Sequence, residues 1–298
     1  MATFDPTGIT RTLRLADGRS LGIAQYGAAD GFPVLCFHGV PGTRLMYRLG
    51  HDAAVHHGFR LIAIDRPGFG LSTPRSGRTL QDWLSDVHHV VSEFGLHRFG
   101  VAAISGGGPF ATATAAAFGD RVAALGLISP LGPLRDMQDT LKLPLSGRLF
   151  YLRLPQRTRL LYGLSVLGNG MFKLAPEFYY DMFVRSLPQS DQMIMRELRL
   201  KRKVLEDIHE SLRQGGDGAR SDLRIFSQAW NVDFAAISAP TVLWQGLADT
   251  IVPIEAALRL GELIPDCTSQ RIPHAGHFWV YQNFEIIFRT LRERLSGQ

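Results

Sequence analysis

A chain of 298 residues, 45% hydrophobic with a formal charge of +5, has room for one large domain or two modest ones. At that length about three quarters of the unfolded surface is buried on folding, and two cysteines, Cys36 and Cys267, give neither a disulfide framework nor a metal-ligand spacing. No apolar run approaches the ~20 residues of a membrane helix, and Met1-Ala2-Thr3-Phe4-Asp5 is neither basic nor apolar enough for a leader, so a soluble cytoplasmic protein is expected.

Residues 10–27 read as a hairpin around Asp17-Gly18. Val34-Leu35-Cys36-Phe37 follows without polar alternation, the mark of a strand covered on both faces, with Cys36 serving as a small hydrophobe. It stops at His38-Gly39-Val40-Pro41-Gly42. Arg44 to His57 reads as a helix closed by Gly58, and Phe59 to Ile64 as a second buried strand running into Asp65-Arg66-Pro67-Gly68-Phe69-Gly70-Leu71-Ser72. Leu80 to Phe94 is amphipathic at helical spacing. Phe99 to Ile104 is a strand that breaks at Ser105-Gly106-Gly107-Gly108-Pro109 and continues as an alanine-rich helix to near Gly119, and Val122 to Ile128 is another strand. Strands alternating with helices predict a parallel sheet flanked on both faces.

After Pro130 the texture changes. Up to Gly216 helical stretches are broken by Pro144, Pro155, Pro176 and Pro188, and this segment holds 14 Lys/Arg against 9 Asp/Glu while the rest of the chain is neutral. The clearest helix is Asp191 to Leu212, with Ile194, Leu198, Leu205, Ile208 and Leu212 as its apolar stripe. Its basic part, Arg196 to Lys203, is read as a solvated helix face rather than a nucleic-acid surface. Strand–helix order then resumes: a helix over Asp222 to Trp230, a strand over Pro240 to Gln245, a helix over Ile254 to Leu263, a strand over Thr268 to Ile272 and a helix over Phe284 to Leu295. The expected organisation is an α/β core of residues 1–130 and 217–298 interrupted by an all-helical insertion, residues 131–216.

In an open α/β sheet, chemistry gathers at the carboxyl ends of the strands. Here those ends offer His38-Gly39, Asp65-Arg66, Ser105-Gly106, Ser129, Asp249 and His277. Ala103, Ser105 and Gly107 form the pattern small-x-Ser-x-Gly, which lets a strand and helix meet closely around a serine held at positive φ. Taken alone the stretch also fits a glycine-rich loop that merely ends a strand, although no Lys follows it as in a P-loop. The chain order Ser, Asp, His is the one used by α/β-hydrolases.

Four motifs, namely His38 to Gly42, Asp65 to Ser72, Ser105 with its glycines, and Gly246-Leu247-Ala248-Asp249 paired with Gly276-His277, resemble those of the α/β-hydrolase superfamily with a helical cap, and the resemblance covers nearly the whole chain. One departure is Ala103, where the common elbow has glycine. The resemblance implies a mostly parallel eight-stranded sheet flanked by helices. It also implies Ser105 as nucleophile, His277 as its base, Asp249 orienting that base, and an oxyanion hole from the backbone N–H groups of Val40 and Gly106. His38 and Gly39 would support the oxyanion loop, and Asp65-Arg66 would be an ion pair fixing loops. His274 is the rival base and Asp136 the rival acid. No cofactor or metal is implied.

Serine at 105 sets the chain apart from epoxide hydrolases and haloalkane dehalogenases, which resemble it but carry Asp at the elbow. Gly106-Gly107 differs from the Trp-Gly of similar prolyl aminopeptidases. The expected activity is hydrolysis of a carboxylic ester, or related small acyl compound with an apolar part, through an acyl-enzyme. Carbon–carbon bond hydrolases and cofactor-free haloperoxidase-like members use the same triad. A ligand-binding protein on a hydrolase fold is the non-enzymatic alternative.

Overall fold

The computed structural model describes residues 2–134 and 149–296. Its strands are β1 (Ile9–Arg14), β2 (Ser20–Gly27), β3 (Phe32–Phe37), β4 (Phe59–Ile64), β5 (Phe99–Ile104), β6 (Val122–Ile128), β7 (Thr241–Gly246) and β8 (Cys267–Ile272). They form one sheet in the order β1-β2-β4-β3-β5-β6-β7-β8. β2 runs antiparallel to β1 and β4, and the other pairs are parallel. The chain goes from β3 outward to β4, then returns to β5 on the other side of β3. The crevice beyond the carboxyl ends of β3 and β5 is therefore the point where the winding reverses, the usual binding position in such sheets.

The strands are apolar at consecutive positions because helices cover both faces. Leu35, Phe37, Val101 and Ala103 pack with α2 (Leu80–Glu93), α3 (Gly108–Phe118) and α9 (Ile254–Leu263). Val34, Cys36, Ala102 and Ile104 pack with α1 (His51–His56) and α10 (Phe284–Ser296). Thr79 and Asp82 close a capping box at the start of α2, worth about 1 kcal/mol. That helix drives Trp83 edge-on against Phe37 and Phe110, at 5.0 and 5.7 Å between ring centroids. Truncating so large a core side chain costs ~3–5 kcal/mol. As expected, Cys36 is fully buried, and burial pushes its thiol well above the ordinary range.

Between β6 and β7 the described chain is helical: α4 (Thr158–Leu174), α5 (Pro176–Arg185), α6 (Gln189–Met195), α7 (Leu198–Ser211) and α8 (Asp217–Phe226). Three helix boundaries differ from the sequence reading. The helix expected over Arg44 to His57 begins as 3-10 turns, Arg44–Gly50, before α1. The single helix expected over Asp191 to Leu212 is two, because the Glu197 carboxylate accepts the backbone N–H groups of Arg199 and Leu200 and starts a new helix there. The register therefore resets: Leu198 is 79% exposed, and Leu200, Val204, Asp207 and Ser211 form the buried face. The helix expected from Asp222 starts five residues earlier, after Gly216 turns left-handed, and ends at Phe226. No helix among the described residues is long and apolar enough to cross a membrane.

Candidate active site

β5 delivers Ser105 to the crevice. Ser105 sits at φ +54°, a conformation that costs a non-glycine residue of order 1–3 kcal/mol and persists only where surroundings enforce it. They do so through small neighbours. A Cβ on Gly107 would stand 2.5 Å from the Phe37 carbonyl oxygen, so only glycine lets the turn pass over the end of β3. Ala103, the departure from the common elbow, is buried in the sheet core beside Phe37 of β3.

The loop after β3 lies against this turn. Built Cβ atoms on Gly39 and Gly106 would lie 3.2 Å from Ser105 Cβ and 3.1 Å from a Val40 methyl, so the 39–40 and 105–106 backbones are neighbours. The Val40 N–H has no protein acceptor among the described residues, and Gly106 is in the first turn of a 3-10 helix, Ser105–Gly107, where N–H groups lack intrahelical partners. His38 supports this loop. Its Nε2 accepts the Arg66 backbone N–H at 3.1 Å, which leaves the proton on Nδ1 to donate to the Gly39 carbonyl at 2.7 Å. Burial first, and then the Arg66 charge, hold this imidazole well below its ordinary pKa, in keeping with a neutral structural ring.

Asp65 and Arg66 fix loops as expected, but not by pairing with each other. Asp65 takes the Arg44 guanidinium at 2.6 Å together with the Arg44 and Leu71 backbone N–H groups. Arg66 is fully buried, pairs with Asp222 of α8 at 2.8 Å, and donates to the carbonyls of His38 and Gly39. Asp65 thus holds the loop at Arg44, and Arg66 holds it at His38 and Gly39.

His277, at the end of the loop after β8, donates through Nδ1 to Asp249 Oδ2 at 2.7 Å, so Nε2 is the ring nitrogen left for a reacting group. Asp249 also caps the following turn: its Oδ1 accepts the N–H groups of Ile251 and Val252 at 2.8 and 3.1 Å. The two carboxylate oxygens thus divide the work, Oδ2 holding the imidazole and Oδ1 the turn. Burial alone would lower the His277 pKa, but the Asp249 charge and hydrogen bond and the Asp191 charge outweigh it and leave it raised. Asp249 is lowered, because its bonds to His277, Ile251 and Val252 together outweigh burial. His274 is exposed, stands at φ +61° in the preceding turn and is not among the cavity-lining residues. Asp136 lies outside the described residues.

Sequence reasoning missed Asp191. From α6 its buried carboxylate receives the His277 N–H at 2.8 Å and the Phe278 N–H at 2.9 Å. A Cβ on Gly276 would fall 2.1 Å from that carboxylate, which explains the glycine before His277. The requirement for close approach is visible in the glycine, but the residue that approaches lies 86 positions from His277.

Ser105, His277, Gly39 and Val40 open into one cavity of about 460 Å³, in the range of small-molecule sites. Its walls include Met46, Ile104, Ile251 and Val280 from the core and Tyr180, Phe183, Met195, Val204, Asp207 and Ile208 from the helices between β6 and β7. None of the described lining residues is Lys or Arg. His56, His57 and Glu285, the one grouping of metal-ligand type among the described residues, lie away from the cavity lining.

This sheet, its switch-point crevice and its serine turn define an α/β hydrolase. The profile of the α/β-hydrolase fold family matches residues 33–284, and the chain belongs to that family. It is 32% identical over 263 residues to a protein of Mycobacterium phage D29 provisionally named a non-heme haloperoxidase, covering 85% of this chain and 83% of that one. It is 26% identical over 289 residues to the 2-hydroxy-6-oxo-2,4-heptadienoate hydrolase of Pseudomonas putida F1, covering 95% of each. Among solved structures, an esterase from Exiguobacterium antarcticum superposes with a TM-score of 0.72 at 17% identity, covering 97% of this chain and all of that one, a likeness of fold.

Proposed function

We propose that the protein is a serine hydrolase that cleaves a small carboxylic ester with an apolar acyl or alcohol part. The observation that carries this is the shared cavity: Ser105, the Asp249-oriented His277 and Val40, whose side chain abuts Gly106, line one apolar-walled space. In this reading Ser105 Oγ attacks the ester carbonyl and His277 Nε2 takes the hydroxyl proton. Asp249 keeps the imidazole in the required tautomer and stabilises the imidazolium. The N–H groups of Val40 and Gly106 receive the developing oxyanion, each worth on the order of 10²–10³ in rate. The alcohol leaves with the proton from His277, and water, activated by the same imidazole, releases the acid. Residues 131–216 act as the cap that supplies the outer wall, over a core of residues 1–130 and 217–298.

Carbon–carbon bond hydrolysis and haloperoxidase-like chemistry rest on the same triad. The cavity supports the ester reading over a dienoate substrate, because a substrate carboxylate would meet Asp207 and no described lysine or arginine in the lining. A hydrolysis screen over p-nitrophenyl esters of increasing acyl length, alongside a 2-hydroxy-6-oxo-dienoate, tests the assignment. Turnover of the esters with an optimum at short to medium chains is expected. Turnover of the dienoate with inert esters would overturn it.

A further inference from the structure

The cavity's side-chain polar groups divide unevenly. Ser105 and His277 belong to the proposed chemistry, and the hydroxyls of Tyr151 and Tyr180 are committed to the carbonyls of Ile251 and Met195, at 2.6 and 2.7 Å. Two groups have no role in that chemistry: Asp207, from the buried face of α7, and the phenol of Tyr281. Both line the same cavity as Ser105 and His277, and burial first, then the Asp207 charge, raises the Tyr281 pKa. Asp207 is 6% exposed, and Thr43 donates its hydroxyl to Oδ1. A carboxyl group has more hydrogen-bonding capacity than one threonine fills. A built Cβ on Gly42 would be 3.5 Å from Asp207 Oδ2, so this carboxyl stands beside the same loop that carries Val40. Burial raises it to about 7, opposed by the Thr43 hydrogen bond and reinforced by the Asp65 charge, with Arg48 acting the other way. Near neutrality it is thus a mixture of donor and acceptor forms.

We infer that Asp207, with Tyr281, forms a polar subsite in the otherwise apolar cavity, and that the substrate is an ester bearing a hydroxyl group on its apolar chain. A hydroxyl both donates and accepts, so it satisfies either form of the carboxyl. A second carboxylate would be repelled, and a plain alkyl chain would leave the acid buried against methylenes at a desolvation cost. The inference rests on the ester reading for the name of the substrate but not for the existence of the subsite.

Binding to the Ser105→Ala protein separates the two. Affinities are measured by calorimetry for ethyl hexanoate and for ethyl hexanoates hydroxylated at carbons 3 to 6, and turnover of the same esters is followed with the unaltered protein. The best hydroxylated ester is expected to bind at least about tenfold more tightly than ethyl hexanoate. That ratio is expected to fall to about one when Asp207→Leu is added, to persist in part with Asp207→Asn, which keeps hydrogen-bonding capacity, and to drop with Tyr281→Phe should the leucine variant fail to fold. A ratio near one for every hydroxyl position, or a ratio unmoved by all three substitutions, overturns the subsite and leaves Asp207 as a partner for Thr43 alone. Preferential binding without turnover of any ester sinks the esterase reading while the subsite stands.

Discussion

The sheet core and the helices between β6 and β7 are built on opposite terms. Core strands β3, β4, β5 and β6 are apolar on both faces and lie almost wholly out of water. Among its described residues the helical segment has a small apolar cluster of its own, around Tyr180, Val184, Met195 and Leu200, and α4 leaves Leu160, Leu167 and Leu174 at 55, 60 and 88% exposure. Close packing holds the serine turn, the loop after β3 and the Asp249–His277 pair in place. The helices supply much of the cavity wall and reach the core at a few points, chiefly Asp222 to Arg66 and Asp191 to the His277 amide. Substitutions in the first region should therefore act on the chemical step, and those in the second on which substrate enters.

The largest effect that tests this contrast is at the base. His277→Ala is expected to lower kcat on the order of 10⁴-fold or more, with His274→Ala within about threefold of the parent, since an exposed residue off the cavity has little to lose. Comparable losses at both would erase the distinction. Next is the loop clamp. Asp222→Ala, in α8, strands Arg66 and Arg78 as buried unpaired cations and is expected to cost ~3–5 kcal/mol in urea unfolding; a change below about 1 kcal/mol would mean that the helices are not needed to hold the loop after β3.

A subtler crossing of the two regions is Asp191, a helical-segment residue that holds the backbone of His277. His277 must be neutral to accept a proton, and its pKa is raised, so kcat/KM should fall as pH drops through a value above the ordinary histidine range. Asp191→Asn removes one of the charges that raises it, so this acidic limb is expected to move to lower pH, with a modest loss of kcat from the weakened grip on the His277 and Phe278 amides. An unmoved limb would reduce Asp191 to a structural contact. The smallest effect is expected on α4, where Leu174→Ser should change stability by under about 0.5 kcal/mol, as judged by the shift in thermal midpoint.

Much of the core was legible because its signals are local. Gly and Pro punctuate every strand end, uninterrupted apolar runs mark strands covered on both faces, and a serine between Ala103 and Gly107 announces its own backbone strain. What was not legible depends on residues far apart in sequence. Arg66 finds Asp222 across 156 positions, and Thr43 finds Asp207 across 164, so neither adjacency nor helical period could reveal the partner. The α6–α7 break was missed for a local reason: Glu197 continues an apolar-periodic stretch, yet its carboxylate folds back onto the amides ahead and starts a second helix. Those two capping bonds rotated the expected stripe and hid Asp207 on the solvent side of the sequence reading.

The central claim is that Ser105 is a nucleophile activated by His277. Intact-mass and peptide mapping after exposure to a fluorophosphonate tests it most directly. The account predicts one covalent adduct, on Ser105, formed by the folded protein, absent after denaturation and absent in both Ser105→Ala and His277→Ala. Folded protein that takes up no adduct, or takes it up on another residue, would contradict it.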